Sequence, residues 1–144
     1  MRAAPRTDPD QALTKEARDR LHERQVWARQ LRYQTHVQFL VEFAVLHDAA
    51  MQLDIARQLE ATPATQPTIA MMAAVNIQLT MLELLAEPST HEKAWAAFDA
   101  LRDYSDGRSD HERVITLRSE YVAAVRAEST VGPFASPATA EPAG

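Results

Sequence analysis

From Thr14 to Ala61 the chain contains neither Pro nor Gly. The run is rich in Ala, Leu, Gln, Glu and Arg, which predicts one helix or two nearly collinear ones. At 1.5 Å per residue it would be roughly 70 Å long, whereas the helices predicted after it reach only about 22–29 Å. Three short helices laid side by side cover about half of the long one. Three outcomes follow. The long helix bends back near Tyr33 to His36, or later helices stack along its N-terminal half, or that half projects and another chain covers it.

The rest of the chain divides at Pro and Gly. Thr62-Pro63 to Gln66-Pro67 breaks the first helix, and Glu87-Pro88 ends a second over about 68–86. Ser89 with Glu92 and Ser109 with Glu112 have capping-box spacing, predicting helices over about 90–104 and 110–127. Asp106-Gly107 supplies the turn between them. The expected fold is all-α: an antiparallel bundle of four or five helices with a long N-terminal helix. The expected organisation is a flexible lead-in over 1–12, one helical domain over 13–128 and a disordered tail, rich in Pro and Ala, over 129–144.

Composition removes several functions. No Cys is present, so disulfides, Cys-zinc sites and thiol catalysis are excluded. The most apolar window, Ile69 to Ala86, carries Asn76, Gln78, Thr80 and Glu83 and reads as a buried helix, not a membrane span. With no signal-peptide pattern, the expected location is cytoplasmic. The net charge of −5 is unevenly spread. Residues 1–36 hold eight Lys/Arg against five Asp/Glu, and residues 37–144 hold seven against fifteen. This asymmetry predicts two surfaces with different partners, or one part docking on the other.

At 100° per residue, the first half of the long helix resolves into three arcs. Leu13, Ala17, Leu21, Trp27, Ala28 and Leu31 form an apolar arc. Glu16, Asp19 and Glu23 form an acidic one. Arg18, His22, Gln25, Arg29, Arg32 and His36 fall within about 40° of one line, which runs for roughly 27 Å. Arginines so spaced suit an acidic protein or a row of phosphates, and Tyr33 at the edge of this face could stack on a base. The ordinary alternative is a solvated face, or one paired with the acidic remainder of this chain or of a second copy. The partner-binding set is therefore Arg18, Trp27, Arg29, Leu31, Arg32 and Tyr33.

In the second half, Gln38, Glu42, Asp48, Gln52 and Glu60 mark a narrow polar arc, and the other positions are expected to pack. His47, Asp54 and Gln58 stand opposite that arc, among Leu40, Phe43 and Met51, and need partners if buried. A hairpin about Ala64 would bring His47 level with Met81, near Thr80 and Glu83. His47, Asp54 and Glu83 are thus a candidate buried polar switch. Met51, Met71, Met72 and Met81 read as core filling, with an adaptable groove as the alternative. Three His-Glu-basic triplets, at His22, His91 and His111, read as convergence on helix-start chemistry in preference to duplication.

Enzymatic constellations are not legible. There is no paired Glu-x-x-His set for a di-iron centre, no P-loop, no dinucleotide fingerprint and no ordered Ser, His and acid. Asp99/Asp103 and Asp106/Asp110 fall on wet faces. No metal and no cofactor is expected. These readings point to a non-enzymatic helical protein-protein interaction module: a small regulator, inhibitor or assembly factor that binds through its N-terminal helix. A homodimer through antiparallel arms is the simplest closed solution. The alternative is a nucleic-acid-associated protein that uses the Arg stripe on phosphates.

Overall fold

The computed structural model describes residues 9–131, and the side chains of residue 12 and of residues 14–129. Regular structure among these residues is entirely helical. The elements are α1 (Pro9–Gln58), α2 (Ile69–Leu85), α3 (Pro88–Ser105) and α4 (His111–Val131). Helix α1 is continuous over 50 residues, roughly 75 Å. It does not break near Tyr33 to His36, so a fifth helix is absent from the described residues. It also starts inside the segment expected to be a flexible lead-in: Pro9 opens it, where the missing N–H of Pro has no helical partner to lose. The rest of that lead-in (1–8) and the tail beyond Val131 lie outside the described residues.

The helix ends have identifiable causes. After Gln58, Glu60 takes a left-handed φ of 51° and the Ala61 N–H bonds the Ala56 carbonyl at 2.8 Å. This backbone motif closes a helix C-terminus. Thr68 caps α2, its hydroxyl accepting from the Met71 N–H at 3.1 Å. The expected capping box at Ser89 does not form. Pro88 opens α3 two residues earlier, with Glu87 as a cap that makes no side-chain hydrogen bond, because the fixed φ of Pro suits the first helical position. Gly107, at φ 75°, ends α3, and the Arg108 N–H bonds the Asp103 carbonyl at 2.7 Å. Asp110, not Ser109, caps α4, accepting from the Arg113 N–H at 2.9 Å.

All four helices contribute to one core. Its centre includes Phe39, Phe43 and Leu46 of α1, Leu79 and Leu82 of α2, Phe98 and Leu101 of α3, and Val114 and Tyr121 of α4. Burying one such side chain contributes about 1.5–3 kcal/mol. Met51, Met71 and Met72 pack against this centre, as core filling requires. Arg113–Asp103 (3.4 Å) and Lys93–Glu120 (3.5 Å) tie α4 to α3 in opposite directions. Helix α4 also meets α1 at His47–His111, His36–Tyr121 and Arg32–Glu128. The α1 numbers fall as those of α4 rise, so these two helices also run oppositely.

Only the part of α1 after about Leu31 takes part in this packing. Every described side chain from Thr14 to Trp27 is exposed, and burial begins at Thr35 and His36. The first of these stretches belongs to an arm, Pro9 to Leu31, roughly 33 Å long. Among the described residues the long helix neither bends back nor has a later helix stacked along its N-terminal half, so of the three outcomes drawn from the length mismatch the first two are not seen. One expectation about the second half of α1 needs correction. Val37, Val41 and Val45 are 43–50% exposed on the face turned away from the core, because the three neighbouring helices cover only the opposite side.

Candidate functional site

The arm keeps its sequence-predicted faces because a continuous helix preserves the 100° spacing. Trp27 is 63% exposed, Leu21 56% and Tyr33 64%. Arg18 and Arg29 are exposed, while Leu31 and Arg32 are half-buried. The partner-binding set is therefore not uniform. Leu31 and Arg32 belong to the root of the arm, where α4 ends against α1.

At that root, Glu128 of α4 enters a nearly closed site. Its side chain is 4% exposed and accepts from the Arg32 Nη1 at 3.1 Å. Its other carboxylate oxygen faces the His36 Nε2 at 3.6 Å, and the His36 Nδ1 lies 2.6 Å from the Tyr121 hydroxyl. Burial is the largest influence on His36 and holds its pKa below 6.5. Glu128 opposes that shift and Arg32 reinforces it. Burial also raises the Tyr121 hydroxyl well above its ordinary range, with the Glu128 charge adding to the effect. The charge pair in this site is thus Arg32–Glu128, with a neutral imidazole and a protonated phenol completing it. The buried histidine sits at His36, not at His47.

The second polar cluster lies lower on α1 and differs from the expected switch. His47 is half-buried and faces α4, its Nε2 2.8 Å from the Nε2 of His111. Burial lowers the His47 pKa most, then the charges of His111 and Arg118, while Asp48 opposes them. The Tyr104 ring packs on His111 at 5.4 Å and its hydroxyl donates to Asp54 at 3.0 Å. Burial, then Asp54, pushes the Tyr104 pKa up to about 12. Gln58 also donates to Asp54, at 3.1 Å. Glu83 and Thr80 are exposed on α2 and take no part in this cluster. His47 lies on the α4 side of α1, so the α2 hairpin does not reach it. His47 and Asp54 are linked through His111 and Tyr104, and Glu83 drops out of the set.

Sequence reasoning missed Tyr121, Glu128 and His111 as members of these clusters. The signal for Tyr121 was its hydroxyl, since a buried Tyr O–H requires a hydrogen-bond partner. Also missed was an outward apolar face on α2, where Ile69, Ile77 and Leu84 are 61–88% exposed. The single charge between Ile69 and Leu85 was its signal. The His91 Nε2 is buried without a hydrogen-bond partner, with its ring set edge-on to Trp95 at 6.5 Å. Among the described residues, no group of three or more His, Asp or Glu is placed to hold a metal ion. No described helix is long and apolar enough to cross a membrane. No family model, no curated protein and no solved structure matches this chain.

Proposed function

We propose that this chain is a non-enzymatic interaction module: an antiparallel four-helix bundle that holds out the N-terminal half of α1 as a docking arm for another protein. A small regulator, inhibitor or assembly factor fits this description. The observation that carries the reading is the exposed apolar face of the arm, with Trp27 63% and Leu21 56% exposed on a stretch that no other described helix covers. An exposed Trp beside Arg matches the composition of interface hot spots. The root supports it as well, because Arg32–Glu128 ties the base of the arm to α4.

A photo-reactive amino acid in place of Trp27, irradiated in the cells that make the protein, tests this reading. A protein adduct at position 27, absent when the probe replaces Arg108 in the α3–α4 turn, is the expected result. No adduct at 27, or an adduct to nucleic acid alone, would overturn it. The nucleic-acid reading draws on Arg18, Arg29 and the 64% exposed Tyr33. It is weakened by Arg32, whose guanidinium is occupied by Glu128, and by the net charge of −5. Phosphate binding would fall steeply with added salt, whereas an interface centred on Trp27 would not.

A further inference from the structure

The end of α4 is held to α1 by polar groups more than by apolar ones. Val114 and Tyr121 are fully buried. After Tyr121 no described apolar residue of α4 is fully buried, and Val122 and Val125 are only partly covered. What enters the root beyond that point is the Glu128 side chain, 4% exposed, on Arg32. Glu128 stands three residues before Val131, where α4 ends. A helix end with little buried apolar surface opens at a lower cost than the body that carries it.

The contact that closes this end is incomplete. The His36 Nε2 and the Glu128 Oε2 face each other at 3.6 Å. Both atoms are buried, and neither meets a hydrogen-bond partner among the described residues. The titratable and charged groups set against His36 are Glu128 and Tyr121 of α4 and Arg32 of its own helix. Among the described residues, α2 and α3 add none.

A proton on His36 would place two cations beside one carboxylate, in a site where burial already outweighs the attraction of Glu128. Tyr121 accommodates either state, since a hydroxyl donates or accepts. Glu128 cannot compensate a second buried cation in full while it holds Arg32. Water solvates the imidazolium once the end of α4 lifts away. Proton uptake is therefore linked to opening of this end.

We propose that the root is a proton-operated latch: protonation of His36 releases the end of α4, from Val122 to Val131, while the core around Phe39, Phe43, Leu46 and Tyr121 stays folded. Release uncovers Arg32 and His36. The uncovered length of α1 then grows by roughly 7 Å beyond Leu31, and Arg32 joins the exposed Arg18 and Arg29. The latch rests on the geometry of the root and not on docking by the arm, so either can fail without the other.

Amide hydrogen exchange of the full chain between pH 8 and pH 5, corrected for intrinsic exchange rates, tests the latch. Protection over 124–131 is expected to be flat above about pH 6.5 and to fall below it by up to about tenfold per pH unit, as one proton taken up on opening requires. Amides of 39–46 and 94–101 are expected to stay at least about a hundredfold better protected at every pH, because the core does not open with the latch. His36→Gln keeps a polar side chain but takes up no proton, and it should remove the pH dependence at 124–131. Glu128→Gln should leave this end poorly protected already at pH 8. The His36 ring resonance of the wild type should titrate over the same interval, a readout that stands even if a variant fails to fold. Protection at 124–131 that stays flat or rises as pH falls overturns the proposal. So does a joint loss of protection in all four helices, an unchanged pH dependence in His36→Gln, or a His36 ring that does not titrate with the opening.

Discussion

Tyr121→Phe removes one oxygen from a fully buried position at the root of the arm. The Tyr121 side chain is 0% exposed and its hydroxyl lies 2.6 Å from the His36 Nδ1. The substitution keeps the ring and its edge contact with Phe39, at 4.9 Å between centroids, so it isolates the hydrogen bond. Burial holds His36 neutral, and a neutral imidazole has one N–H and one lone pair. Burial also keeps the phenol protonated. The His36 Nε2 faces the Glu128 carboxylate at 3.6 Å, an acceptor that places the imidazole N–H on Nε2 and leaves the Nδ1 lone pair to accept from the phenol. This tautomer is assigned from the network. In Tyr121→Phe the Nδ1 lone pair stays buried without a donor, at a cost of about 1–3 kcal/mol. Urea unfolding at pH 8 of the wild type, Tyr121→Phe, His36→Leu and the double variant measures that loss and the coupling between the two residues. A coupling of about 1 kcal/mol is expected. A loss below about 0.5 kcal/mol with no coupling would refute the argument, since it would mean that no bond of this kind contributes.

Acid should weaken the fold through its histidines. Burial depresses the pKa of both His36 and His47 below 6.5, so the unfolded chain takes up protons first. The stability they contribute is complete above about pH 6.5 and is lost as pH falls toward the folded values, by at most about 1.4 kcal/mol per pH unit for each His. A urea midpoint that stays flat or rises from pH 8 to 5 would contradict this. Two turn positions should respond in opposite directions. Gly107, at φ 75°, loses about 1 kcal/mol on change to Ala, whereas Glu60→Gly, at φ 51°, gains about 0.5–1 kcal/mol in the same denaturation assay. Phe43→Ala, at 0% exposure, costs about 3–5 kcal/mol. Trp27→Ala, in the exposed arm, changes thermal stability by less than about 0.5 kcal/mol. A large loss at Trp27 would mean that the arm is packed in cis.

The all-helical architecture was legible because Pro and Gly fall where helices end and the stretch from Thr14 to Ala61 contains neither. The lengths alone reduced the first half of α1 to three outcomes. Caps were less legible. Ser89 and Ser109 had the right spacing, yet Pro88 and Asp110 took the positions, since a fixed φ and a carboxylate acceptor outcompeted the serines. The polar clusters were half legible. His47 and Asp54 were expected to need partners, but the order of helices around α1 decides who supplies them. Periodicity within α1 carries no information about that order, so Glu83 on α2 was chosen where His111 and Tyr104 stand. The Arg stripe shares one side of a continuous helix, but which of its members Glu128 would claim depends on where α4 ends.

The arm is best understood as helix that the body has already nucleated. An isolated helix of its length is marginal in water because the first turn is costly to form. Here the turns from Thr35 to Ala56 are fixed by packing, and each residue toward the N-terminus adds to an existing helix without a new nucleus. The Arg32–Glu128 pair, 24% and 4% exposed, pins the junction from the other side. The apolar face that leaves the core at Thr35 therefore reaches solvent already in helical register, with Leu21 and Trp27 exposed at helical spacing. A partner that meets a pre-formed surface loses less freedom on binding than one that must order it. On this argument, the packed half of α1 sets where the arm points, and the polar cluster at the root ties its base to α4.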